Sequence, residues 1–521
     1  MKIPKIIMSV LLAGSLLLAG GSAHAYVDIN IWGCSAQFFL WSSMNSGSLS
    51  SGQPNFLLDS TAKGGAGCTH ASWAYDSALT NYFWAQGTGC STSLSSDGVI
   101  NIRIGYKTSN DAIWAVNGVA DPEAVAQGST TGTPSYPYQC ANPYQRYMPG
   151  VVTGSPPPGQ PGANLNTAIG TGVTCQTVTL GASDEKANYF TQASHGLQFG
   201  PYYTKTNNSI CREFGTSGYC IDGITPVEPM PTDAGLAWYN PMADPAAFYV
   251  NKAVTETTCV GGTNAGDMCA ASADCTGGTC GAPATITNIS RMMAAQIFTG
   301  QVTNWQDFGA GFANLPIWAC MRHAGAGTNV TFDYAVLGDT HNWLPSGAAM
   351  LNTDTHTSGK TNPTAYFYDT ITTQLNCVNG EISSGTYNST GSPIGAIGYT
   401  DADKSTTIGV GTSLPNVVMV NYNGVQPSRR NIRNGLYDFW SKNYLYYNPT
   451  GANTPNTGAN WHAFNALVSY ANDPDKFNSL GSGSSSSYKG NFWATIPEMW
   501  YIKSGANMLP GPTNAINPRN P

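Results

Sequence analysis

Charged residues are scarce in this chain. Lys, Arg, Asp and Glu make up 10% of its 521 residues and leave a net charge of −7, so it has no basic face of the kind that neutralises a nucleic-acid backbone. Nucleic acid is excluded as a partner on that ground. A small anion is not, because backbone N–H groups and helix starts can hold one with little net positive charge. Long apolar runs are missing as well. Beyond the amino terminus no segment approaches the roughly 18 apolar residues of a membrane-spanning helix, so the chain is not expected to be membrane-embedded. Histidine is sparse, at seven, and neither HExxH nor GxSxG occurs; no dense grouping of carboxylates with histidine stands out. These absences remove the familiar hydrolase patterns, and the chain is not expected to be an enzyme. CxxCH is absent too, which removes covalent haem, and no cofactor is expected.

What is present begins with a secretory signal at residues 1–25. Lys2 and Lys5 give a positive start, Ile6 to Ala19 is the apolar run, and Ala23-His24-Ala25 is a small-residue cleavage site. No cysteine follows "LLLAGG", so a lipid anchor is not expected, and the mature chain is expected in the periplasm or the medium. With 41% hydrophobic residues and 13 tryptophans, the abundance of Gly, Ser, Thr and Asn describes loop-rich domains rather than disorder. The remainder is long enough for two or more domains.

Thirteen cysteines in an exported chain point to disulfides. The tightest group is Cys259, Cys269, Cys275 and Cys280 in "TTCVGGTNAGDMCAASADCTGGTC". Zinc is the alternative there, but CxxC pairs are absent and no histidine lies nearby. Cys211 with Cys220, and Cys68 with Cys90, can each close a small loop. Thirteen is odd, so at least one thiol stays free or pairs between chains, and Cys34 is the one expected.

Along the chain, "YVDINIWG" alternates as a strand and "GVINIRIGY" (Gly98 to Tyr106) is a second. Residues 121–170, with "GSPPPGQPG", read as a surface insertion. "TCQTVTLGASDEKANYF" gives a strand, a tight turn and a helix start, and "AAFYVNKAV" another strand. Ile289, Met292, Met293 and Ile297 recur at helical spacing behind a cap at Thr287 or Asn288. "LPIWACMR", "PIGAIGYTDAD" and "LPNVVMVNYNGV" supply further strands, and "NGLYDFWSKNYLYYN" one more extended crossing. Strands alternating with helices imply an α/β fold.

The segment "MRHAGAGTNVTF" carries the chemistry of an oxyanion site. The Arg322 guanidinium can fork onto two oxygens of one anion. Gly325 and Gly327 let the backbone curl close, the N–H groups of Ala326, Gly327 and Thr328 can donate at a helix start, and Thr328 adds a hydroxyl.

Several segments resemble the phosphate-binding protein of bacterial phosphate ABC transporters. "ITNISRMMAAQIFTGQVTNWQDFG" is similar to that family's "IFxGxxxNWxD" segment, followed by a strand, an Arg and "G-[SA]-G-T". "VTLGASD" resembles "DFGASD", "INIWGCSAQFF" stands in place of "GAGATFP", "IGAIGYTDAD" resembles "AIGYV", and "NGVQPSRRNIRNGLYDFWSKNYLYY" resembles the return segment. The resemblance implies a type II periplasmic-binding-protein fold: two α/β lobes joined by a two-strand hinge, with long loop insertions, closing on inorganic phosphate for an ABC-transporter permease. Lobe one would be residues 26–249, with the 121–170 insertion, plus the return at 446–521. Lobe two would be residues 250–445, with the Cys-rich insertion at 259–280.

The resemblance also places Asp184 in the site. A carboxylate repels a fully ionised anion but accepts an O–H hydrogen bond from one that carries a proton, as phosphate and arsenate do near neutral pH and sulfate does not. A helix cap is the plainer role for Asp184. Gln37 and Phe38 stand where the family has Thr-Phe, offering an amide and a backbone N–H, and Thr108 or Ser109 replaces a serine donor. Two departures bear on the ligand. The family's aspartate two residues after the arginine is Ala324 here, and the serine of "GSGT" is Ala326. Another oxyanion such as arsenate, or a small organic acid, is therefore an alternative ligand. The Gly/Ser/Pro insertions and extra cysteines motivate a different class, an extracellular surface or assembly protein retaining the fold.

Overall fold

The computed structural model describes residues 26–47, 54–75, 82–120, 140–150, 160–161, 173–190, 211–214, 217–220, 231–299, 301–323, 325–338, 365–368, 370–381, 394–450, 458–480, 489–503 and 511–512. The expected signal segment, most of the 121–170 insertion and Ala324 lie outside them.

Strands in chain order are β1 (Val27–Gly33), β2 (His70–Tyr75), β3 (Tyr82–Thr88), β4 (Val99–Tyr106), β5 (Gln160–Pro161), β6 (Leu180–Ser183), β7 (Ala237–Tyr239) and β8 (Met242–Asn251). They continue as β9 (Asn288–Ile289), β10 (Trp318–Arg322), β11 (Ala365–Tyr368), β12 (Ala396–Asp401), β13 (Val417–Tyr422), β14 (Trp440–Lys442), β15 (Tyr444–Tyr447) and β16 (Ala494–Thr495). The first sheet has the order β7-β15-β6-β1-β4-β3-β2-β5, and the second β9-β13-β8-β12-β10-β11, with β14 and β16 also paired to β8. Each sheet is the centre of one lobe of an α/β fold.

Burial explains which strands sit centrally. β1 carries Val27, Ile29 and Ile31 on one face, and packs α1 (Ser35–Ser46) and α6 (Gly458–Ala471) against it. β8 is buried along its whole length. Its first half pairs with β14 and β16, and its second half with β12 and β13. That central position brings the second sheet forward to Met242, ahead of the boundary expected at 249/250. It therefore assigns Asp244 to the second lobe.

The chain crosses between lobes at Asn240–Pro241 and again at Asn443, and these crossings are tied together. The Asn443 N–H donates to the Met242 carbonyl at 2.9 Å, and Asn240 Nδ2 donates to the Asn443 carbonyl at 2.8 Å. A third crossing was not expected. The tail does not stay with the first lobe: β16 pairs with Met242–Ala243, and Glu498 forms an ion pair with Arg429 at 2.9 Å. The start of β8 offers a strand edge there, and 494–495 fills it.

Two local expectations are corrected. The helix α3 (Arg291–Phe298) is capped by Ser290, whose hydroxyl accepts from the Met293 N–H at 3.1 Å, not by Thr287 or Asn288. Its buried face is Ala294, Ile297 and Phe298, so Met292 points to solvent and Ile289 belongs to β9. The "NGLYDFWSKNYLYYN" crossing is not one strand. It turns at Gly435 with φ +73° and divides into β14 and β15 at Asn443, where the chain changes sheets.

Cysteines pair as Cys68–Cys90, Cys259–Cys275 and Cys269–Cys280, and also as Cys140–Cys175 and Cys320–Cys377, two bridges without a local spacing signal. The sulfurs of Cys259, Cys269 and Cys275 lie within 4.8 Å of one another, a cluster that would suit a metal, but each is bonded in a disulfide. Cys211 and Cys220 face each other in the hairpin Cys211–Phe214/Ser217–Cys220; their side chains lie outside the described residues. Cys34 is a free, buried thiol, as expected.

Candidate functional site

In each lobe, parallel strands end on the same side. β1 runs parallel to β4 and β6, and β10 parallel to β11 and β12. Carboxyl ends of parallel strands are where open α/β sheets take ligands, because the loops beyond them diverge there. In the first lobe these ends deliver Gly33, Tyr106 and Ser183; in the second, Arg322, Tyr368 and Asp401.

The two sets of loops meet. Gly327 begins α4 (Gly327–Phe332), which continues through a π-helical turn at Asp333–Leu337. A side chain at position 327 would begin 2.6 Å from both the Asp184 Cβ and the Ser109 Oγ, so only glycine permits this approach. The Asn110 N–H, in the first turn of α2 (Ser109–Val116), donates to the Gly325 carbonyl at 3.4 Å. Asp184, Asp244, Ala246, Thr328, Thr331, Asp401 and Ser441 line a narrow cleft where the loops meet.

Asp184 is held from several sides. Cys34 Sγ donates to its Oδ1 at 2.7 Å and Asn443 Nδ2 to the same oxygen at 3.3 Å, while Ser109 Oγ donates to Oδ2 at 3.3 Å. The backbone around it is tightly packed. A side chain at Gly33 would start 1.9 Å from the Ala182 carbonyl oxygen, and the Cys34 N–H donates to that oxygen at 2.9 Å. Asp184 caps no described helix; the next element along the chain is a single 3-10 turn at Ala187–Tyr189.

Arg322 is buried at the end of β10, and α4 behind it is fixed by ring stacking of Phe332 on Tyr399 at 4.2 Å and by Tyr399 Oη donating to Asn329 Oδ1 at 2.7 Å. Thr328 lines the cleft. Ala326 supplies less than expected, because its N–H already donates to the His323 carbonyl at 3.1 Å. The His323 ring is fully buried, and its Nδ1 accepts from the Gly325 N–H at 3.2 Å, shaping the turn.

Three other sequence candidates are engaged elsewhere. α1 starts at Ser35, so by Phe38 the backbone is already helical and its N–H donates to the Cys34 carbonyl at 3.2 Å. Gln37 donates through Nε2 to the Ser183 carbonyl at 2.9 Å and accepts from Trp41 Nε1 at 3.3 Å, bracing the Asp184 turn. Thr108 caps α2, accepting from the Asp111 N–H at 3.2 Å, which leaves Ser109 as the hydroxyl on Asp184.

Electrostatics differ from a simple cationic anion trap. Burial opposes the Lys404 charge, but Asp403, Asp401 and Asp244 together outweigh it and raise its pKa, with Arg322 acting the other way. The Lys404 ammonium also lies 5.0 Å over the Phe39 ring of the other lobe. Burial, and then the Asp184 charge, push the Cys34 thiol well up, so it remains a protonated donor. Thr331 Oγ1 lies 3.0 Å from Glu185 Oε1 across the cleft and 2.9 Å from the Gly327 carbonyl. One hydroxyl hydrogen cannot serve both acceptors. Burial raises Glu185 to about 8, against Lys503 and Thr331, so a protonated Glu185 can be the donor in one of them.

Asp244, Asp401, Ser441, Thr331 and Asn443 were missed from the sequence. Asp244, Asp401, Ser441 and Asn443 share position in or beside a strand, in "MADPAAFYV", "GYTDAD" and "FWSKNY", whereas Thr331 lies within α4.

The topology and the cleft define a two-lobed α/β binding-protein fold. Residues 244–466 match the family model described as the PBP superfamily domain. Among solved structures, the chain is similar to a putative phosphate ABC transporter substrate-binding protein with bound phosphate from Clostridium perfringens. That likeness has 11% identity, covers 87% of this chain and 96% of that one, and has a TM-score of 0.38. It is also similar to an ABC-type phosphate transport receptor from Vibrio cholerae, at 15% identity over 46% of this chain and 70% of that one, with a TM-score of 0.27. No curated protein matches the sequence. No helix among the described residues is long and apolar enough to cross a membrane.

Proposed function

We propose that this protein is an exported solute-binding protein that takes inorganic phosphate between its lobes and delivers it to an ABC-transporter permease. The observation that carries the reading is the meeting of Asp184 and Ser109 from one lobe with Gly327 and Thr328 from the other. Asp184 accepts the proton that phosphate retains near neutral pH. Ser109, Thr328, the first-turn N–H groups of α4 and the Arg322 guanidinium serve its other oxygens. Binding needs no bond to break, so the protein is a carrier and not an enzyme.

Asp244 and Asp401 beside Asp184 favour ligands rich in donors. That acid lining supports a second reading: arsenate, or a small organic acid bearing hydroxyl groups, binds in the same cleft. Titration calorimetry of dialysed protein against phosphate, arsenate, sulfate and a hydroxy-acid panel separates the two. Phosphate binding with sulfate rejected supports the first. Heat from a hydroxy acid alone replaces it with the second.

A further inference from the structure

Cys34 stands at the N-cap of α1 yet makes no capping bond. Ser, Thr, Asp or Asn would serve a cap better, so capping does not account for a thiol there. Its sulfur turns instead to an aspartate 150 positions along the chain, at 2.7 Å from Oδ1. The main chain on either side is held in place. Gly33 is pressed onto the Ala182 carbonyl, and the Cys34 N–H is bonded to the same oxygen.

The two oxygens of Asp184 therefore have distinct surroundings. Oδ1 receives Cys34 from α1 and Asn443 from the crossing between lobes. Oδ2 receives Ser109 and is the carboxylate oxygen nearer the Cβ position of Gly327, at 3.0 Å. We infer that Cys34 is a positioning residue: its thiol pins Oδ1 and so presents Oδ2 toward the second lobe, where the ligand proton is accepted. This inference rests on the phosphate reading.

A pinned carboxylate has one plane, and a ligand O–H must meet a lone pair in that plane. With the thiol removed, Oδ1 loses its 2.7 Å contact and keeps the longer one from Asn443 at 3.3 Å, so the carboxylate gains freedom about its last torsion. A ligand that donates to Oδ2 loses affinity. Sulfate, which donates nothing, does not. Serine keeps a donor hydroxyl at the same branch point and restores the pin.

The test compares wild type, Cys34→Ala and Cys34→Ser for phosphate and sulfate affinity near neutral pH. The phosphate-over-sulfate ratio is expected to fall about tenfold in Cys34→Ala and to recover in Cys34→Ser, the effect of one lost hydrogen bond. General loosening would lower both affinities together and leave the ratio in place, which would overturn the inference. An infrared difference spectrum of wild type minus Cys34→Ala reads the contact without any ligand. The S–H stretch should lie at the lowered frequency of a hydrogen-bonded thiol and rise in Asp184→Asn; a band indifferent to Asp184→Asn refutes the contact. A wild type that binds phosphate selectively while Cys34→Ala does the same overturns this inference alone. A wild type blind to phosphate overturns the functional reading and this inference with it.

Discussion

Thr331 of the second lobe and Glu185 of the first are hydrogen-bonded across the cleft at 3.0 Å, with both side chains buried. The contact joins the residue beside Asp184 to the helix that begins at Gly327. It thereby couples the state of the lobes to the ionisation of one carboxyl group.

That coupling gives stability a pH dependence. In the folded protein Glu185 stays protonated up to about 8, because burial outweighs the pull of Lys503, whereas its ordinary value is 4.5. Folding therefore takes up a proton between those values, and stability should fall as pH rises through the window. Lys503 is lowered to about 8 by burial and so contributes above that window, not within it. Melting temperatures of wild type and Glu185→Gln, whose amide copies the protonated carboxyl, should agree near pH 5 and diverge toward pH 8 as wild type alone loses stability, leaving a flatter curve for the variant. Parallel curves would remove Glu185 as the source.

Cys320 in β10 and Cys377 in α5 (Ile371–Asn379) close a loop of sequence separation 57 in the second lobe. Replacing both by alanine should lower stability by roughly 2–4 kcal/mol in denaturant unfolding, the usual effect of one native disulfide. An unchanged midpoint would mean that the pair carries no constraint in the unfolded chain.

Arg322→Ala should weaken phosphate more than tenfold, since charge-assisted hydrogen bonds contribute roughly 1.5–3 kcal/mol each. Calorimetry on the folded variant measures it. Retained affinity would assign Arg322 to the electrostatics of Lys404 and Tyr399 rather than to the ligand.

Local patterns in the sequence were informative where one segment decides the outcome. β1 and β4 form strands where the sequence places them, though both are buried on both faces, and the four cysteines of 259–280 bridge among themselves. "GASD" led to Asp184 through a family pattern, since the residues alone equally describe a cap. Registers across long separations were not legible. Nothing near Asp244 or Ser441 says that β8 pairs with β14, yet that pairing brings both to the cleft. Gln37, Phe38 and Thr108 illustrate the converse. Their types suit a ligand, but helix starts at Ser35 and Ser109 engage them first. The Cys140–Cys175 and Cys320–Cys377 bridges were hidden for the same reason, because only the fold brings those thiols together.

The central claim is that Asp184 selects a ligand carrying a proton, and Asp184→Asn tests it most directly. The substitution keeps the shape, removes the negative charge and supplies an N–H donor. Wild type should bind phosphate and reject sulfate, and the variant should gain sulfate affinity while phosphate weakens modestly. Competition titrations at fixed salt near neutral pH give the ratio of the two, which general destabilisation would not move. A ratio that shifts toward sulfate is the predicted result; a wild type that already binds sulfate as well as phosphate, or a variant with the ratio untouched, would contradict the account.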